Sequence, residues 1–122
     1  MGIFSFFKKK KNVNEKLTPE SKWIVEINGS KIKTIDYDGI EKSLDMHKID
    51  QIIIETNDSG PWGTDVWWRI LGRDGLLSYP GGATGESKML KNFERLPNFN
   101  HGKLIRAMNS TDNAEFVIWK NN

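Results

Sequence analysis

Residues 66–79 restrict the fold more than any other stretch of the sequence. Val66, Trp68 and Ile70 alternate with Trp67, Arg69 and Leu71. Asp74-Gly75 then breaks the run, and Leu76–Tyr79 resumes it. A period of two over β-branched and aromatic residues, interrupted by a Gly-containing turn, predicts a β-hairpin. Trp67 and Trp68 must then face opposite sides of one strand. Both can be buried only if elements cover both faces of the sheet; otherwise one is exposed.

The segment leading into this hairpin, Asp58-Ser59-Gly60-Pro61-Trp62-Gly63-Thr64-Asp65, is a Gly/Pro turn flanked by two carboxylates and carrying a third Trp. Upstream, Trp23–Ile27 alternates, and Asn28-Gly29 signals a tight turn into Lys31–Tyr37. On that returning strand Lys31 and Lys33 share a face with Ile35 and Tyr37, which predicts a sheet edge. Asp38-Gly39 marks another turn, and residues 40–48 read as a loop or helical turn. Ile52-Ile53-Ile54, apolar on both faces, predicts a central strand covered on both sides.

After Pro80 the period changes. Met89, Leu90, Phe93 and Leu96 make a helical stripe from Glu86, closed by Pro97. Asn100 is placed to cap a second helix with Leu104, Ile105 and Met108 turned inward. Phe116–Trp119 is a last strand, apolar on both faces and so expected to be central. Hairpins first and helices late predict an α+β fold: a twisted, mostly antiparallel sheet of five to six strands, with two helices of the C-terminal half packed on one face.

Length and charge set the organisation. The 122 residues suit one domain. The net charge of +2 hides an asymmetry. Residues 1–19 hold five Lys and one Glu, so residues 20–122 hold 13 basic and 15 acidic residues. The expected division is a basic, disordered tail (1–19) and a mildly acidic domain (20–122). The tail places Phe4, Phe6 and Phe7 ahead of Lys8, Lys9, Lys10 and Lys11. It lacks the order of a signal peptide. It reads either as a solvated tail or as a weak membrane-surface contact, Phe inserting and Lys facing anionic headgroups. The expected location is cytoplasmic, with the inner face of the membrane as the variant the tail would bring.

Catalytic chemistry finds little footing. There is no cysteine. His47 and His101 stand 54 residues apart without zinc-ligand spacing, so neither metal nor cofactor is expected. Gly81-Gly82-Ala83-Thr84-Gly85 before a helix resembles a phosphate cradle, but Glu86 follows where a Walker loop has Lys; it reads as a strand-to-helix connection. Asp58 and Asp65 could act as acid and base across their turn, or satisfy turn N–H groups, and Asp65 could pair with Arg69. The acidic body argues against nucleic acid. Trp and Arg are the residues that dominate binding hot spots. Trp62, Trp67 and Arg69, with Asp58 and Asp65 beside them, are therefore the candidate partner-binding residues.

The pattern Asp58-x-Gly60-Pro61-Trp62-x-x-Asp65-Val66-Trp67-Trp68, together with Gly85-Glu86, Leu96-Pro97-x-Phe99 and Met108-x-Ser110-Thr111-x-Asn113-Ala114-x-Phe116, resembles a family of small, uncharacterised bacterial single-domain proteins. The resemblance covers Ile52–Trp119. Such proteins look like the immunity proteins of bacterial toxin systems, and this likeness implies a non-enzymatic protein whose partner is a toxin domain. It brings no catalytic or binding residue to carry over. The body is only mildly acidic, whereas immunity proteins facing basic nucleases are often strongly so.

Overall fold

The computed structural model describes residues 19–58 and 66–121. A short 3-10 turn, Pro19–Lys22, leads into β1 (Ile24–Asn28), β2 (Lys31–Ile35) and β3 (Glu41–Asp45). A second 3-10 turn, Met46–Lys48, follows. Then come β4 (Ile49–Thr56), β5 (Val66–Gly72), β6 (Gly75–Pro80), α1 (Glu86–Phe93), α2 (His101–Met108) and β7 (Ala114–Lys120). The fold is α+β, with both helices in the C-terminal half. The strands divide into two antiparallel sheets, one ordered β1-β2-β3 and the other β6-β5-β4-β7.

The hairpin read from residues 66–79 is present, with Gly72 paired to Gly75, Ile70 to Leu77 and Trp68 to Tyr79. Cross-strand register carries its inner face into β4, pairing Ile52 with Ile70 and Ile54 with Trp68. These residues, with Met89 and Phe93 of α1 and Leu104 and Ala107 of α2, join one core. Val25, Ile32 and Leu44 of the three-stranded sheet complete it. Trp68 is fully buried. Its ring stacks on Tyr79 at 5.9 Å and leans on Phe93 at 5.9 Å.

Four local expectations give way. Residues 41–45 form a strand, because β3 needs only Leu44 inward and leaves its other side chains to solvent. β2 is the centre of its sheet and not an edge. Lys33 is tolerated there because Glu26 of β1 and Glu41 of β3 flank it at 3.6 and 3.8 Å on the solvated face. In α2, Leu104 and Ala107 turn inward while Ile105 and Met108 are 61% and 44% exposed. Finally, β7 is an edge strand. A bulge near Ile118 interrupts its pairing with β4, and Ile118 and Trp119 both reach the core. Successive inward residues at a bulge imitate a strand buried on both faces. The segment before α2 covers part of this edge: the Asn100 N–H donates to the Ile118 carbonyl, and Trp119 Nε1 donates to the Pro97 carbonyl at 2.9 Å.

The loop before α1 ties the two sheets together. Thr84 forms a parallel bridge to Ile24; its N–H donates to the Trp23 carbonyl, and its carbonyl accepts from the Val25 N–H. Glu86 then fills the place a phosphate would have taken. Its Oε1 accepts from the Gly82 N–H at 2.9 Å and its Oε2 from Trp68 Nε1 at 2.8 Å.

The Tyr79 hydroxyl is buried with no hydrogen-bond partner among the described residues. Burial pushes this phenol well above its ordinary value of 10.0, and the Glu86 carboxylate pushes it the same way. The folded state therefore holds it neutral where the unfolded chain would ionise it. Its contribution is intact below pH 10 and is lost as pH rises beyond that. Tyr79→Phe removes an unsatisfied buried hydroxyl. It is expected to raise stability at neutral pH by about 1 kcal/mol and to flatten the alkaline loss. Urea unfolding at neutral and alkaline pH measures both effects.

Candidate functional site

The two faces of the four-stranded sheet differ. The inner face is the core. The outer face carries Trp67, Arg69 and Leu71 of β5, Gln51, Ile53 and Glu55 of β4, Glu115 and Val117 of β7, and Leu76 and Ser78 of β6, as strand alternation and register require. None of these apolar side chains belongs to the core cluster or packs against it. Both helices contribute to that cluster on the opposite side, while Trp23 reaches the outer face at Trp67. As expected for a central strand, β4 lies inside its sheet and Ile52, Ile53 and Ile54 are all buried. Ile53 reaches 7% exposure through its neighbours on the same face, lying between Arg69 and Val117 in the register.

Arg69 is the centre of this face. It sits opposite Ile53 on one side and Ser78 on the other. Its Nη1 donates to Glu115 Oε2 at 3.2 Å and lies 3.9 Å from Glu55 Oε1. Glu55 and Glu115 are directly opposed across β4 and β7, a placement in which like charges repel. Arg69 offsets that repulsion and is itself held in one orientation. The three side chains keep 31%, 46% and 56% exposure, so the network contributes little to stability. What it provides is a preorganised guanidinium on an open surface.

Trp67 is half-buried beside this network, opposite Glu55 and Pro80. Trp23, just before β1, meets it edge-on with centroids 5.7 Å apart and planes at 85°. One face of the Trp67 environment is therefore fixed by an aromatic neighbour while the ring keeps contact with solvent. Of the adjacent pair, Trp68 is the dry one and Trp67 the partly wet one, which a strand covered on one face dictates.

Asp58 is exposed beyond the end of β4, and its N–H donates to Asn113 Oδ1 at 3.3 Å. It lies past the Glu55–Trp67 pair at the same end of the sheet. Trp62 and Asp65, and the tail residues Phe4, Phe6, Phe7 and Lys8–Lys11, fall outside the described residues. The structure thus brings together Trp67 and Arg69, sets Asp58 near them, and adds Glu55, Glu115 and Trp23. Nothing in the sequence singled out those three. The Ile54-Glu55 and Glu115-Phe116 alternations hinted that the carboxylates face outward, but their convergence on Arg69 depends on register between distant strands.

Neither histidine takes part. His47 is exposed. His101 opens α2 with Nε2 3.8 Å from Glu94 Oε2, its ring edge-on to Phe99. Among the described residues no group of three or more His, Asp or Glu is placed to hold a metal ion, and no helix is long and apolar enough to cross a membrane.

Comparison with known proteins returned no matching family, no curated relative and no similar solved structure.

Proposed function

We propose that this chain is a non-enzymatic protein-binding module, an immunity protein that neutralises a cognate toxin domain, and that it binds through the open face of the four-stranded sheet. The observation that carries the reading is the pairing of a half-exposed Trp67 with a preorientated Arg69 on the sheet face opposite the helices and the core. An apolar centre (Ile53, Trp67, Leu71, Val117) is ringed by polar side chains (Gln51, Glu55, Ser78, Glu115). This is the arrangement of a protein interface, where Trp and Arg anchors sit inside a wetter rim. Glu55 and Glu115, with Asp58 at the margin, would face basic groups of the partner and guide its approach. The sequence resemblance to immunity proteins supports the same reading.

Co-expression with the product of the neighbouring gene tests it. The expected result is that the neighbour arrests growth alone, is tolerated when this chain is present, and co-purifies with it. A Trp67→Ala/Arg69→Glu variant should fold and fail to protect. A neighbour that is neither toxic nor co-purified removes the immunity reading.

A further inference from the structure

At the β7 edge, where the open face turns over towards α2, the surface dips into a cleft of about 450 Å³. Gln51, Asn98, Asn100, Lys103, Lys120 and Val117–Trp119 line it; Ile118 is fully buried and Trp119 nearly so, so Val117 supplies most of its accessible apolar surface. No Asp or Glu contributes, although the body as a whole holds more acidic than basic residues. Lys103 comes from the first turn of α2 and Lys120 from the end of β7, where it pairs in register with Gln51. Two unrelated elements thus bring ammonium groups to one cleft. Neither lysine enters an ion pair among the described residues.

The Asn100 side chain caps α2, its Oδ1 accepting from the Lys103 N–H at 2.9 Å. That bond engages the oxygen of the Asn100 carboxamide and leaves its NH₂ as a donor. With the amides of Asn98 and Gln51, the cleft is rich in donors and cations. Such a set can solvate an oxyanion, with the two ammonium groups setting the sign of the charge it favours.

We propose that this cleft binds a small organic anion, a phosphate or carboxylate on an apolar body. Lys103 and Lys120 flank the anionic group, the carboxamides of Asn98, Asn100 and Gln51 donate to it, and the body rests against Val117 and the exposed edge of Trp119. The cleft lies within the size range of small-ligand sites, roughly 300–1,000 Å³, and is far larger than a bare oxyanion requires. This inference goes beyond the protein-binding reading and does not rest on it: the cleft shares only Gln51 and Val117 with that face, and its lysines lie outside it.

An NMR titration of the full chain with phenyl phosphate, phenylacetate and inorganic phosphate, each at matched ionic strength, tests it. The expected result is saturable shifts confined to the Lys103 and Lys120 amides, the Asn100 region and the Trp119 indole. Affinity for at least one aromatic anion should be in about the millimolar range. Whichever aromatic anion binds more tightly identifies the group as phosphate or carboxylate. Lys103→Gln/Lys120→Gln should weaken binding about tenfold or more without moving the unfolding midpoint, and Lys103→Arg should retain it. Shifts spread evenly over all exposed lysines, no saturation with either aromatic anion, or unchanged binding in the double variant would overturn the site. Equal affinity for inorganic phosphate would overturn the claim of an organic body.

Discussion

Gly85→Ala is expected to destabilise the domain by roughly 3–5 kcal/mol, a large share of the 5–15 kcal/mol typical of a folded domain. Two effects add at this position. Its φ of +94° lies where an L side chain is strained. In addition, a Cβ placed there would fall inside contact distance of the Val25 carbonyl oxygen, which is backbone and cannot rotate away. The close approach exists because Thr84 is hydrogen-bonded alongside β1 on both of its backbone groups. The next residue must then turn sharply into α1 against the same strand. Relief would require α1 to separate from β1, pulling Met89 and Phe93 out of the core. Gly29→Ala is the control. It too has positive φ, +60°, but nothing within 4 Å of the added Cβ, so it should cost only about 1 kcal/mol. Urea midpoints of the two variants separate backbone strain from the clash. Similar costs would show that the β1–α1 junction yields more easily than its geometry implies.

Trp68→Ala is expected to cost about 3–5 kcal/mol. Trp68 is fully buried, stacks on Tyr79, touches Phe93 and donates its indole N–H to Glu86. It links the inner face of β5 to the first residue of α1. Its loss opens a cavity and leaves the Glu86 carboxylate with the Gly82 N–H as its remaining donor among the described residues. Trp68→Phe separates the contributions: it keeps most of the packing and removes the indole donor, so it should cost about 1–3 kcal/mol. Equilibrium unfolding of both variants, with near-ultraviolet circular dichroism as a check on core packing, measures this. A Phe variant as unstable as the Ala variant would mean that the hydrogen bond to Glu86, and not the ring, dominates.

The fold class was legible because its signals are local. The 66–79 hairpin, the change of period at Glu86 and the Asn100 cap each depend on residues close in sequence, and each appears as expected. What was not legible depends on neighbours from elsewhere in the chain. Lys33 indicates an edge strand when read alone, but between Glu26 and Glu41 it sits at a sheet centre. Phe116–Trp119 indicates a central strand until the bulge near Ile118 explains two consecutive inward residues. The Thr84 bridge that joins the two sheets is also silent in the sequence, because a Gly-rich connection does not announce it. At the candidate site, the sequence pointed to Trp67 and Arg69 because Trp and Arg dominate binding hot spots. It could not show that Glu55 and Glu115 meet at Arg69, because that requires the β4–β7 register.

The outer face of β6-β5-β4-β7 is the surface proposed to engage a protein partner. The most direct measurement is the affinity of the purified chain for the co-purified partner, compared with Trp67→Ala and with Ile105→Ala on exposed α2, away from that face. Trp67→Ala is expected to weaken binding about thirtyfold or more, the loss of a hot-spot residue, with Ile105→Ala unchanged and both unfolding midpoints close to that of the parent. Undiminished affinity in Trp67→Ala, or a larger loss in Ile105→Ala, would contradict the assignment of this face.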